Sequence, residues 1–324
     1  MCYNFRVMYH FSARITKIAV FAAVLCAIGL PGQQKGQEKT KEITHEVSVT
    51  AITIAVTVQD RSGRFVTDLT EKDFSVFENG QARMTNYFKS SQEAPFSLTI
   101  LLDVSGSMDL QDKLKECKEA LRSLVGWSVR PQDEISLLVF ADGQVEVAYR
   151  FSADKAGFLK VLDETEAYGQ TALNDAVAVS PEFANRGRNE KRAMVLLTDG
   201  IENDSQTTPD QAVEIARRVD VPIYAIGYKI PMSEQFLLKY KRSEKLTRAG
   251  IVEALQKFSG ATGGKSYFIS EPSGLGIALR EIVADLSHQY ILGYTTYTNP
   301  TDEYRKITVL TSNKRYRVRT RQGY

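Results

Sequence analysis

Short apolar runs alternate with amphipathic stretches through the middle of the chain. Runs typical of buried strands lie at residues 96–102, 135–140, 193–197 and 221–226. In other stretches apolar residues recur every three or four positions, which predicts helices near residues 110–127, 154–164, 172–185, 208–219, 248–259 and 273–287. Strands that alternate with helices are typical of a mostly parallel sheet covered on both faces. Residues 95–287 are therefore predicted to form a doubly wound α/β domain.

The sequence on either side of this domain alternates with a period of two, which is the period of half-buried strands. In residues 45–94 the apolar positions change phase near residues 50–51, which predicts a bulge or two consecutive strands. Asn79-Gly80 between two β-rich runs predicts a hairpin. Three further strands are predicted in residues 288–324. Because each segment is too short to bury a core alone, we expect the two to pack together as one small all-β module.

The first thirty residues have the composition of an export signal. Three basic residues and no acidic residue precede an apolar run at residues 18–30. This run is shorter than the roughly 20 residues that cross a bilayer as a helix. We therefore interpret residues 1–32 as a signal peptide and residues 33–44 as a flexible linker, and predict a periplasmic or secreted protein. An uncleaved N-terminal membrane anchor and a lipid on Cys26 stay open as alternatives.

Composition and charge restrict the possible partners. The chain is 43% hydrophobic and 25% charged, as in ordinary globular proteins, and its formal charge of +2 gives no basis for a nucleic-acid partner. The polar, basic residues 229–248 are interpreted as a surface insertion. Four arginines alternate near the end of the chain and so share one strand face: Arg315, Arg317, Arg319 and Arg321. We predict a solvated face, with contact to an anionic envelope surface as the alternative.

Oxygen-bearing side chains stand where the predicted strands end. The five concerned are Asp103, Ser105, Ser107, Thr171 and Asp199. The first three follow the strand at 96–102, the fourth precedes a predicted helix, and the last follows the strand at 193–197. Loops at the carboxyl ends of parallel strands line one crevice, so we expect the five side chains to converge. Carboxylates and hydroxyls are hard ligands that suit Mg²⁺, with Mn²⁺ or Ca²⁺ as alternatives.

This pattern of ligands resembles a known site. The Asp-x-Ser-x-Ser sequence at 103–107, with Thr171 and the Thr-Asp-Gly sequence at 198–200, resembles the metal-ion-dependent adhesion site of von Willebrand factor type A (VWA) domains. The resemblance covers residues 95–287. It implies that the serines and the threonine contact the metal directly or nearly so, and that the aspartates bind it directly or through water. It also implies that a carboxylate of the partner takes an open coordination position.

One residue departs from the family pattern. Gln170 stands where a second glycine is expected, and it could narrow the Thr171 loop or contact the ligand. The flanks extend the resemblance, because residues 64–69, 73–80, 289–294 and 321–324 are similar to the exported VWFA-related Acidobacterial domain family. That second resemblance implies export, but it implies no particular ligand.

These features predict an exported, metal-dependent, adhesion-type module that binds an acidic group of a partner protein. An envelope scaffold in which the metal mainly stabilises the fold stays open as the alternative. We predict no enzyme, because a serine hydrolase needs a base and neither His45 nor His288 lies near the strand ends. An EF-hand needs Gly and Glu where Met108 and Leu114 stand. Helix capping and turn formation account for each of the five residues alone, but not for all of them together.

Overall fold

The computed structural model describes residues 48–90, 94–232, 246–298 and 304–324. The predicted signal peptide at residues 1–32 and the linker at 33–44 lie outside the described residues. So does most of the basic insertion predicted at residues 229–248. Within the described ranges, no helix has the length and apolar character needed to cross a membrane.

The described elements follow the alternation of the sequence. The strands are β1 (Ser48–Gln59), β2 (Phe74–Glu78), β3 (Gln81–Arg83), β4 (Thr85–Ser90), β5 (Phe96–Asp103), β6 (Glu134–Ala141), β7 (Gln144–Ser152), β8 (Lys191–Thr198), β9 (Ile223–Tyr228), β10 (Ser266–Ile269), β11 (Tyr290–Thr298), β12 (Ile307–Thr311) and β13 (Arg317–Arg319). The helices are α1 (Lys113–Trp127), α2 (Lys155–Glu164), α3 (Leu173–Ala184), α4 (Pro209–Ala216), α5 (Arg248–Thr262) and α6 (Pro272–Ser287).

A six-stranded sheet forms the centre of the α/β domain. Its strand order is β10-β9-β8-β5-β6-β7, and every neighbouring pair is parallel except β6 and β7. All eight residues of β5 and of β6 are buried, as expected for strands that are covered on both faces. One apolar cluster packs α1, α2 and α6 on one face of the sheet, and a second packs α3, α4 and α5 on the other. The predicted α/β fold class is confirmed.

The N- and C-terminal β segments form one module. β1 pairs antiparallel with β11 from Ser48↔Thr298 to Val56↔Tyr290, and it lies in a sheet of order β13-β1-β11-β4. A second sheet has the order β12-β2-β3, and its hairpin turns at Asn79 and Gly80, which both have positive φ. Apolar side chains from both segments share one core. Both alternatives predicted near residues 50–51, a bulge and two consecutive strands, are wrong, because β1 is one strand with an unbroken register there. The register shift lies instead between β11 and β4.

A buried carboxylate ties this module together. Glu78 is 1% exposed and accepts hydrogen bonds from Arg83 Nε (2.8 Å), Thr296 Oγ1 (2.9 Å) and Tyr324 OH (2.5 Å). These hydrogen bonds lower the pKa of Glu78 although burial opposes them, so the carboxylate stays charged. The partners come from both ends of the described chain, so Glu78 links the two segments that the sequence separates.

The β module meets the α/β domain where the parallel strands begin. Arg319 pairs with Asp285 at the end of α6. Arg321 donates to the carbonyl of Thr53 at 2.7 Å, and Thr53 Oγ1 donates to Asp220 Oδ2, just before β9, at 2.7 Å. The module therefore packs against the edge of the sheet opposite the carboxyl ends of its strands.

These contacts correct the prediction made for the four arginines. Arg315 and Arg317 are exposed, but Arg321 is buried and Arg319 is partly buried in the interface. The expected single solvated face is wrong, and so is an envelope contact through all four residues. The α/β domain covers the part of the face that carries Arg319, and regular pairing in β13 ends at that residue.

Candidate metal centre

The loop after β5 carries three of the five predicted ligands. Asp103, Ser105 and Ser107 are at most 5% exposed. The amide of Ser105 donates to Asp103 Oδ1 at 2.9 Å, and the hydroxyls of Ser105 and Ser107 lie 3.1 Å apart. A short 3-10 turn at Gly106–Met108 follows directly. The alternating Asp-x-Ser-x-Ser spacing thus places one carboxylate and two hydroxyls at the end of a rigid buried strand.

A second loop brings Thr171, which is 1% exposed, against the first. The amide of Gly106 donates to the carbonyl of Gly169 at 3.0 Å, which joins the two loops through their backbones. Gly169 has a φ of 68°, and a Cβ there would lie 2.2 Å from the carboxyl of Asp142, so glycine is required. The Gln170 side chain is exposed, and the backbone amide of Gln170 donates to Asp142 Oδ1 at 2.6 Å.

The loop after β8 completes the set with Asp199. This carboxylate is fully buried, and its Oδ1 accepts from the amide of Ile201 at 3.0 Å. The preceding Thr198 donates through Oγ1 to Asp103 Oδ2 at 2.6 Å, which links the two carboxylate loops directly. Further along, the amides of Asn203 and Asp204 donate to the carbonyl of Thr171 at 3.1 and 3.0 Å. Each of the three loops is therefore hydrogen-bonded to another.

A buried lysine also lies in this site. Lys113, the first residue of α1, is 2% exposed. Its Nζ donates to Asp199 Oδ2 at 2.6 Å and to the carbonyl of Ser107 at 3.1 Å. The sequence did not predict Lys113 as part of the site, and Thr198 was included only in the Thr-Asp-Gly sequence at 198–200, not as a site residue. One feature of the sequence could have indicated that Lys113 is buried: it stands four residues before Cys117, and so lies on the apolar face of α1.

The electrostatics of the site favour a bound cation. Burial, and then the charge of Asp199, raise the pKa of the Asp103 carboxyl to about 7. A divalent cation bound between the two carboxylates would lower the pKa of Asp103 again, because its positive charge stabilises both carboxylates in their ionised form. If both carboxylates are ionised, the single Lys113 ammonium leaves one negative charge in the site, which a bound cation would compensate.

The donor set fits a hard divalent cation. Two carboxylates and three hydroxyls provide only oxygen, which suits Mg²⁺, Mn²⁺ or Ca²⁺ and not a soft metal. Across the described ranges, no three histidine, cysteine or acidic side chains come together as a metal-binding group. A metal here would therefore depend on the hydroxyls of Ser105, Ser107 and Thr171 as well as on Asp103 and Asp199.

Part of the α/β domain matches a known protein family. The family described as von Willebrand factor type A domain matches residues 98–202, a range that contains all five predicted ligands. Residues 98–202 are therefore similar to VWA domains, and they lie within the α/β domain of this chain.

Individual relatives are more distant. An uncharacterized protein of Borreliella burgdorferi is 28% identical over 198 residues, which are 57% of this chain and 57% of that protein. The match thus spans little more than half of that relative's length. Among solved structures, a von Willebrand factor type A protein from Catenulispora acidiphila is 15% identical, with 74% of this chain and 70% of that chain covered and a TM-score of 0.49. The vWF domain of the type V pili tip protein Mfa5 from Porphyromonas gingivalis is 11% identical. The match covers 60% of this chain and 95% of that chain, with a TM-score of 0.46.

Proposed function

We propose that this protein is a metal-dependent binding module that engages an acidic group of a partner protein. Its divalent cation, Mg²⁺ in the first instance, is held by Asp103, Ser105, Ser107, Thr171 and Asp199. One observation carries the proposal: two carboxylates and three hydroxyls, all buried, lie on three mutually hydrogen-bonded loops at the carboxyl edge of the sheet. Two carboxylates balance the charge of a divalent ion without excess, so the ion keeps affinity for an incoming anionic oxygen.

The placement of the β module supports a binding role. The module packs against the opposite edge of the sheet, at Asp220 and Asp285, and so leaves the edge that carries the candidate ligands to a partner. Binding is also favoured over catalysis. His288 is the one histidine among the described residues, and it stacks on Phe65 at the end of α6, at the edge opposite the candidate ligands. A serine nucleophile in the β5 loop therefore has no described histidine beside it to act as a base.

We further propose that the protein works outside the cytoplasm. Residues 1–32 support this proposal, because their basic flank, short apolar run and small residues near the end are typical of a signal peptide. Expression of the full chain, followed by cell fractionation and N-terminal mass spectrometry of the recovered protein, tests it. A cytoplasmic protein that retains its first residue would contradict export.

Metal binding is tested first, on purified protein. Titration calorimetry with Mg²⁺ and Mn²⁺ should show one site in the wild type and strongly weakened binding in Asp103→Ala and Asp199→Ala. Asp109→Ala is the matched control, since Asp109 is an exposed carboxylate in the same loop that is not among the candidate ligands. If Asp103→Ala and Asp109→Ala bind Mg²⁺ with equal affinity, Asp103 is not a metal ligand and the proposed site is contradicted.

The partner is tested next, by pull-down from an envelope extract with Mg²⁺ and with EDTA. The proposal requires a partner that is retained by the wild type in Mg²⁺ and lost both in EDTA and with Asp103→Ala. The alternative, an envelope scaffold stabilised by its metal, requires a different result. In that case EDTA lowers the melting temperature strongly, and no metal-dependent partner is recovered.

A further inference from the structure

Lys113 places an ammonium group inside the candidate metal centre. Its ammonium lies 2.6 Å from Asp199 Oδ2, and the side chain is only 2% exposed. Lysine is rarely buried to this extent unless its charge is paired, because the ammonium loses its hydration. Here Asp199 and the carbonyl of Ser107 replace that hydration, and both belong to loops that carry predicted metal ligands.

The backbone before Lys113 is held in an uncommon conformation. Gln111 and Asp112, neither of them glycine, have φ values of 57° and 56° in the left-handed region. Two such residues in succession are costly and persist only where the surroundings hold them. Lys229 braces this turn, because its Nζ donates to the carbonyl of Gln111 at 3.1 Å and pairs with Glu116 Oε2 at 2.5 Å. The turn starts α1 with Lys113 directed into the site.

We infer that Lys113 is an internal counter-cation that competes with the divalent metal for Asp199. The inference rests on the proposed function. Without a metal, the ammonium offsets the charge of the two buried carboxylates and keeps the β5 and β8 loops together. With a metal, a cation held by Asp103 and Asp199 repels the ammonium and must displace it from Asp199 Oδ2. Lys113 therefore stabilises the metal-free protein and lowers its affinity for the metal.

The variant Lys113→Met tests both consequences, since methionine keeps an unbranched apolar stem and removes the charge. Affinity for Mg²⁺ is measured by titration calorimetry, and the melting temperature is measured in EDTA and in saturating Mg²⁺. We expect Lys113→Met to bind Mg²⁺ at least about tenfold more tightly, because a like charge next to the bound ion is removed. In EDTA the variant should melt at a lower temperature than the wild type, and Mg²⁺ should reduce that difference. Lys115→Met, on the exposed side of the same turn, should match the wild type in both measurements.

Each outcome decides the inference. Unchanged or weaker Mg²⁺ affinity in Lys113→Met, with normal binding by the wild type, overturns it. If Lys113→Met unfolds in EDTA and refolds in Mg²⁺, the inference is supported. If both Lys113→Met and Lys113→Gln stay unfolded with Mg²⁺ present, it is overturned, since the metal-loaded protein would then need the lysine as well. A wild type that binds no divalent metal overturns the proposed function itself, which is a distinguishable result.

Discussion

The hydroxyl of Thr198 donates a 2.6 Å hydrogen bond to Oδ2 of Asp103, and so joins the ends of two neighbouring parallel strands. Oγ1 of Thr198 also accepts a hydrogen bond from the backbone amide of Gly200 at 2.9 Å. Thr198 therefore orients one candidate metal ligand and also shapes the turn that presents another, Asp199. Thr198 is not one of the candidate ligands, so its effect on the site would pass through Asp103 and through the turn that carries Asp199.

Removal of this hydroxyl should weaken metal binding. Thr198→Val keeps the shape of the side chain but leaves Asp103 Oδ2 without its donor. Loss of a group that orients a metal ligand typically weakens metal affinity by about 10- to 100-fold, and we expect Mg²⁺ affinity to fall within that range. Titration calorimetry measures it, and Thr198→Ser, which retains the donor, should stay close to the wild type. Equal affinities for the valine and serine variants would contradict the orienting role.

Gly169 should tolerate no side chain. Its positive φ and the Asp142 carboxyl 2.2 Å from a Cβ both oppose alanine. Because the native conformation is incompatible with alanine, Gly169→Ala should lower the free energy of unfolding by more than about 1 kcal/mol, and should also weaken Mg²⁺ binding. Gly126→Ala is the matched control, since Gly126 lies exposed in α1 with nothing within 4 Å of a Cβ. That change should stabilise the protein by about 0.5–1 kcal/mol, measured by urea unfolding. Similar effects of the two changes would show that the loop conformation is unimportant.

The ion pair between Arg319 and Asp285 should make a large contribution to the attachment of the β module. Asp285 is 5% exposed and also accepts from the hydroxyl of Tyr224, so loss of the arginine leaves a buried carboxylate without its cation. Arg319→Met is therefore expected to cost about 3 kcal/mol in urea unfolding. Arg317→Met, two residues earlier on the exposed part of the strand, should change stability by less than about 0.5 kcal/mol. If the two variants unfold at the same urea concentration, the interface does not depend on this pair.

Stability should rise with pH above neutrality through Lys191. Burial, followed by the positive charge of Arg130, lowers the pKa of Lys191 from 10.5 to about 8. Between pH 8 and 10.5 the unfolded chain holds this proton and the native protein does not, so the free energy of unfolding rises with pH, by at most about 3 kcal/mol from this group. Below pH 8 both states are protonated and the contribution is constant.

The comparison with Lys191→Met isolates that contribution from other groups that titrate in the same range. The difference between wild type and variant should shift in favour of the wild type as the pH rises from 8 to 10. A difference that stays flat over this interval would show that Lys191 keeps its ordinary pKa in the folded protein.

Much of the site follows from sequence because its constraints are local. Asp103 and Asp199 each end an apolar strand, and parallel strands bring their carboxyl ends to one edge. Lys113 was not predicted, although it shares a helix face with Cys117 and Leu121, because a lysine beside apolar positions ordinarily lies in solvent. Its burial depends on a left-handed turn at two residues that are not glycine, which composition does not reveal.

The errors in the predicted fold also arise where tertiary packing, rather than local sequence, decides the structure. Of the four alternating arginines only Arg317 and Arg319 lie in a strand, and periodicity carries no information about what covers that strand, so it could not show that Arg319 is partly buried. The strands β7 and β10 were not predicted. Their residues are mostly half-buried or exposed, so their apolar pattern is weak, and β10 is only four residues long at the edge of the sheet. Tertiary packing decides such segments more than local pattern does.

The β module is attached at Asp220 and Asp285, so its outer surface and the carboxyl edge of the central sheet lie at opposite ends of the α/β domain. A partner at the carboxyl edge of the sheet would not block a second partner on the β module, because the two surfaces are separate. If both surfaces bound a partner, the distance between the two partners would be set by the α/β domain and by the contacts of Arg319 and Arg321 that attach the β module. Force applied between two bound objects would pass along the strands of the central sheet, whose order places the Asp103 strand between two hydrogen-bonded parallel neighbours.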